Sequence, residues 1–179
     1  MSGISLELFR LFAGYNSWMN EKIYAAAGEL SKNQLEEDNG AFFGSVFQTL
    51  NHIMFGDRFL LTRVREYLEN SSLIESITSQ WEFEPKIIYF ATLAELREAR
   101  CELDQTIVNL VGGLTETQLL EIRTISEVTL PMWTTLLHMF NHQTHHRGQI
   151  TTLLSQYGLD LGMTDINVFY LEITQPRTD

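Results

Sequence analysis

The chain has 179 residues, 44% hydrophobic and 20% charged, which suits a single folded domain with a proper core. Its net charge of -11 and pI near 4.8, with 12 scattered Lys and Arg, exclude a phosphate-tracking surface, so no direct nucleic-acid contact is expected. One cysteine excludes an internal disulfide, and neither a basic leader in MSGISLELFRLF nor an apolar run of membrane-spanning length is present, so a cytoplasmic protein without membrane contact is expected.

The first helix is expected over about Ile4 to Leu30, where Leu6, Phe9, Phe12 or Ala13, Asn16, Met19 or Asn20, and Ile23 recur at helical spacing. Charge and glycine over Glu36 to Gly44 read as a loop. A second helix follows from about Ser45, a suitable N-cap, to Leu68, with Val46, Leu50, Ile53 or Met54, Leu60 or Leu61, and Val64 as its apolar stripe. The stretch Asn70 to Tyr89, with Pro85, reads as loop with short turns.

The third helix is expected from about Thr92 to Val111, stopped by Gly112-Gly113. Cys101 falls within it and is expected as a small buried residue. The run EIRTISEVTL, from Glu121 to Leu130, is β-branched and alternating, and predicts a short extended segment or hairpin. A fourth helix opens around Pro131 and runs to Tyr157, capped by Gly158, and a short terminal helix is expected near Asp165 to Leu171. Four long amphipathic helices with one long crossover predict an all-α four-helix bundle formed by one domain over residues 1–179.

Four of the five histidines crowd into the fourth helix: His138, His142, His145 and His146. At about 100° per residue, taking His142 as zero, the apolar residues Leu136, Met139, Ile150, Leu153, Leu154 and Tyr157 spread over roughly 20° to 120°. On that wheel His146 lies inside the apolar face at about 40° and His142 at its edge, while His138 and His145 turn away at about -40° and -60°. His142 and His146 therefore form an inward i,i+4 pair able to share an ion, and Gln143 and Arg147 also point partly inward. The remaining histidine, His52 on the second helix, would complete three nitrogens around one divalent ion, with positions left open as in catalytic sites. The competing reading is that His52 is a hydrogen-bonded core residue and the others line a solvated edge. The segment is not an H-E-x-x-H motif, because Gln143 stands where the general base would be.

Four stretches resemble the DinB family, also described as DinB/YfiT-like metalloenzymes: YNSWMNEKIY, GSVFQTLNHIMFGDRFLLTR, LLHMFNHQTHHRGQITTLL and GLDLGMTDINVFYLE. The resemblance implies an up-down-down-up helix bundle, usually a homodimer, and a divalent metal, zinc or nickel, held by His52, His142 and His146. His145 and His138 would then stand outside the triad. Among such proteins some resemble thiol-dependent transferases using a low-molecular-weight thiol and others metal-dependent hydrolases, and many have no known activity; the family name refers to induction by DNA damage. By the same resemblance Tyr15, Asn16, Trp18 and Asn20 match the first-helix pattern. Tyr15, Asn16, Asn20, Gln143 and Arg147 are candidate contacts to a small-molecule substrate, or else Trp18 packs and the asparagines bond between helices. Asp57 is expected to pair with Arg58 or Arg147 rather than ligate, Arg147 to bind an anionic substrate group or form a structural ion pair, and Phe55, Phe59 and Phe140 to lie in the core.

Overall fold

A computed structural model describes residues 5–68 and 90–175. Its long helices are α1 (Leu6–Ala27), α3 (Val46–Arg65), α4 (Leu93–Gly113) and α6 (Met132–Gln156), with short helices α2 (Lys32–Glu36), α5 (Glu116–Leu120) and α7 (Ile166–Thr174). Two short strands, β1 (Ile122–Ile125) and β2 (Val128–Pro131), pair antiparallel just before α6. The chain is thus an all-α bundle carrying one small hairpin, as expected. The expected loop Asn70 to Tyr89 lies outside the described residues. No helix among the described residues is long and apolar enough to cross a membrane.

Helix starts follow side-chain chemistry. Ser45 accepts from the Gln48 amide at the head of α3, and Thr92 with Glu95 forms a reciprocal capping box on α4. At the other end of α6, Gly158 takes φ 78°, and the Leu159 amide donates to the Leu154 carbonyl at 3.1 Å, closing the helix. The structure departs from the sequence pattern at one boundary and in two short helices. Gly112 and Gly113 remain helical, and the chain turns at Leu114 into α5 behind a second capping box, Thr115 with Gln118. Another box, Ser31 with Gln34, forms α2 where chain leading into the loop was expected. Five-residue helices carry too few apolar positions to show a period.

The predicted stripe of α1 is buried: Leu6, Phe9, Ala13, Asn16, Met19, Asn20 and Ile23. α1 packs against α4 and α6, and α3 against α6. Arg10 meets the Gly112 carbonyl while Asn20 meets Asp104, so α1 and α4 run antiparallel. His52 meets His142 while the Tyr67 hydroxyl donates to the Leu130 carbonyl, so α3 and α6 are antiparallel too. Both pairings agree with an up-down-down-up order. Cys101 is exposed, contrary to expectation, because Arg100, Leu103 and Asp104 take the inward face of α4.

Candidate metal centre

α3 and α6 bring three imidazoles together. His52 Nε2 lies 3.1 Å from His142 Nε2 and 3.2 Å from His146 Nε2. One ring nitrogen from each residue falls within 4.8 Å of the others, so these three histidines could bind a metal ion. Metal–imidazole bonds of about 2.0–2.1 Å place nitrogen neighbours roughly 3 Å apart around a shared ion, so the residues fit. His138 and His145 are both exposed, as the helical wheel predicts, although the His138 ring still meets that of His142.

His142 reaches its place because α3 has glycine opposite it. A Cβ on Gly56 would overlap Cε1 of His142 and stand 2.9 Å from its Nδ1. That close approach strips water from the ring: Nδ1 is buried and has no hydrogen-bond partner among the described residues. Burial, reinforced by His146 and His52, pushes the His142 pKa down to about 3. Burial also lowers that of His146, partly opposed by its hydrogen bond to Gln149. Both rings are thereby biased to the neutral form that ligates metal.

Gln149, which the sequence reading passed over, joins two histidines. Its Oε1 accepts from His146 Nδ1 at 2.8 Å, and its Nε2 donates to His145 Nε2 at 3.3 Å. With Nδ1 protonated, His146 turns its Nε2 lone pair to the cluster. The i,i+3 spacing to His146 was the available signal. On the other side, Phe43 stacks on His52 with centroids 3.8 Å apart and meets His146 edge-on at 5.5 Å. Its loop is tied to α6 by the Tyr157 hydroxyl, 3.0 Å from both Glu37 Oε2 and Asn39 Oδ1.

The remaining candidates lie in a polar layer inside the bundle. Asn16, Asn20, Gln143 and Arg147 are all buried. Asn20 donates to Asp104 Oδ1 at 3.0 Å and to Gln143 Oε1 at 3.2 Å. Arg147 donates to Asn16 and, at 2.8 Å, to Gln143 Oε1. Gln143 in turn donates to Asp57 Oδ2 at 2.7 Å. Asp57 pairs with Arg100, correcting the expected Arg58 or Arg147; the partner comes from α4, which adjacency on α3 could not indicate. Among the described residues Arg147 forms hydrogen bonds to amide and hydroxyl oxygens rather than an ion pair. Tyr15 instead secures the C-terminal segment, donating to the Thr164 carbonyl at 2.7 Å, and Trp18 donates to Glu172 at 3.0 Å. Phe55 and Phe140 are buried as expected, whereas Phe59 is half-buried.

A sequence model of the DinB family matches residues 3–178. "Protein DinB" of Bacillus subtilis (strain 168) is 27% identical over 172 residues, covering 90% of this chain and 92% of that protein. No solved structure matches. With a family match across nearly its whole length and three histidines converging from two helices, the chain belongs to the DinB family.

Proposed function

We propose that the chain is a metal-dependent enzyme in which His52, His142 and His146 hold zinc or nickel and which transfers a low-molecular-weight thiol to an electrophilic small molecule. The observation that carries this reading is the composition of the cluster: three imidazoles and, among the described residues, no carboxylate. Hydrolysis by such a centre would call for a nearby base to activate water, whereas a thiol needs none. A divalent ion on three imidazoles supplies Lewis acidity that favours the deprotonated form of a bound thiol, and this donor set suits either metal.

The chain's own groups prepare the site. Gln149 sets the tautomer of His146, and Phe43 covers one face of His52. Asp57, the carboxylate nearest His52 along α3, is buried and engaged by Arg100 and Gln143, which leaves it no role as a base. Asn16, Asn20, Gln143 and Arg147 act as positioning residues that join α1 to α6 beneath the triad, and Tyr15 anchors the tail.

Metal analysis of protein prepared without a polyhistidine tag tests the site, with about one ion per chain expected. His52→Ala, His142→Ala and His146→Ala should each abolish binding, while His145→Ala retains it. A wild-type chain that takes up neither added zinc nor nickel sinks the proposal. Loaded protein should then consume an electrophile only when a small thiol is supplied; turnover by water alone would favour a hydrolase.

A further inference from the structure

Along α3, His52, Phe55, Phe59 and Arg63 follow one another on one face at spacings of three, four and four residues. The rings of His52 and Phe55 lie 6.5 Å apart, and those of Phe55 and Phe59 6.3 Å apart and nearly parallel. The Arg63 guanidinium carbon stands 5.1 Å from the Phe59 ring. Opposite, α6 presents His146, His142 and His138 at four-residue spacing, with successive ring centroids 4.4 and 6.2 Å apart. These two rows run away from the triad in the same direction.

Where they lead, a cavity of about 270 Å³ opens between α3, the hairpin and the start of α6. Its apolar wall comes from Phe59, Leu60, Tyr67, Ile125, Val128 and Leu130, and Arg63 and His138 also line it. His138 therefore touches the cavity on one side and the His142 ring on the other, so a single side chain lies between cavity and triad. Val128 and Leu130 remain 54% and 40% exposed, so the space is reachable from solvent. Arg63 donates to Ser126 Oγ at 2.6 Å, and among the described residues no carboxylate pairs with it.

Size and charge narrow the occupant. A dry cavity of roughly 150 Å³ accepts benzene, so this one has room for an aryl ring with a short alkyl chain. Along α3 the eleven steps from His52 to Arg63 rise roughly 16 Å, a span a drug-sized molecule can bridge once the arginine side chain reaches toward it. We propose that the cavity is the subsite for the apolar arm of the substrate. On this assignment, which rests on the triad being a metal-dependent site, the substrate is an amphiphilic small molecule. Its reactive group meets the triad, its aryl or short alkyl arm fills the cavity, and its anionic group faces Arg63.

The test uses 4-phenylbutyrate as probe, titrated calorimetrically into the full chain with and without zinc. Binding is expected in both states. Val128→Asp, at a half-exposed position, should weaken it roughly tenfold by placing a charge on the apolar wall. Arg63→Met should weaken it roughly fivefold by removing the cation that meets the carboxylate. Zinc stoichiometry should hold in both variants; the melting temperature should hold in Val128→Asp and fall slightly in Arg63→Met, which loses the hydrogen bond to Ser126. Absence of probe binding to the wild type, or equal binding in both variants, overturns the assignment. So does a Val128→Asp chain that loses self-association yet binds the probe normally, since the face would then be an interface between copies. Zinc titration of the same samples separates the two readings. Probe binding without zinc uptake supports the subsite and sinks the metal centre; zinc uptake without probe binding does the reverse.

Discussion

His142 stands against the backbone of Gly56, and this contact sets its charge as well as its position. Its pKa in the folded chain, about 3, lies below the roughly 6.5 of an unfolded histidine. The unfolded chain therefore binds a proton that the folded chain refuses. The stability that this histidine contributes is present above the unfolded value and is lost as pH falls from about 6.5 towards 3. Zinc-free His142→Gln, which cannot titrate, should gain stability relative to the wild type across that window. Denaturant melts of both proteins in chelator at several pH values check it, and a pH-independent difference would show that burial of the ring costs nothing in protonation. Comparing the two chains cancels the contribution of Asp57, whose pKa burial raises to about 6 and which therefore works in the opposite direction.

At the scale of elements, the hairpin was legible from its β-branched alternation but not from its turn. Its two-residue turn places Ser126 at φ 48° and Glu127 at φ 70°, with Ile125 and Val128 paired across it. Such a turn normally carries Asn or Gly, so Ser-Glu gives no turn signal even though Thr124 and Thr129 hydrogen-bond at 2.8 Å beside it. The turn is held from outside, by Arg63 on Ser126 and by Tyr67 on the Leu130 carbonyl. Glu127→Gly should therefore stabilise the fold by about 1 kcal/mol, read as a higher melting temperature, because glycine adopts positive φ without steric cost. A loss of stability would mean that the Glu127 side chain contributes more than its backbone strain takes away.

For the molecule as a whole, one buried polar layer joins all four long helices. Asn16 and Asn20 of α1, Asp57 of α3, Arg100 and Asp104 of α4, and Gln143 and Arg147 of α6 form a connected set with two cations and two carboxylates. Opposite charges offset one another, but any single removal leaves a buried partner exposed to the low dielectric. Asp57→Ala should cost about 3–5 kcal/mol in denaturant melts, whereas Asp57→Leu with Arg100→Met and Asp104→Asn, which removes both carboxylates that Arg100 compensates, should recover most of that loss. If the triple variant is as unstable as the single one, packing rather than charge compensation is the reason for the loss. We also propose a homodimer as the working unit, with the exposed Tyr170, Leu171 and Ile173 of α7 as candidates for its contact. Sedimentation velocity should show a dimer that Leu171→Glu dissociates; a monomeric wild type ends this proposal.

Periodicity carries the four long helices because each buries one continuous stripe, and an apolar stripe is a property of the linear chain. The same wheel turns His142 and His146 inward and His138 and His145 outward, since direction around one helix depends only on spacing. Which side chains meet across helices is a different quantity. Asp57 with Arg100, Gln143 with Asn20, and Phe43 on His52 join residues far apart in the chain, and no local spacing encodes those distances. Cys101 illustrates the sensitivity: a neighbour either side of it is exposed or buried according to a helix phase that packing alone sets. The amino-acid sequence by itself determined the bundle and the inward histidine pair, and left His52 as the one remaining histidine that could join them. Only the tertiary structure decided that the buried amides serve a four-helix polar layer, and that a row of aromatic rings links the triad to the wall of a cavity. Those relations depend on how α3 and α6 slide and rotate against each other, and close packing decides that for all residues of the interface together.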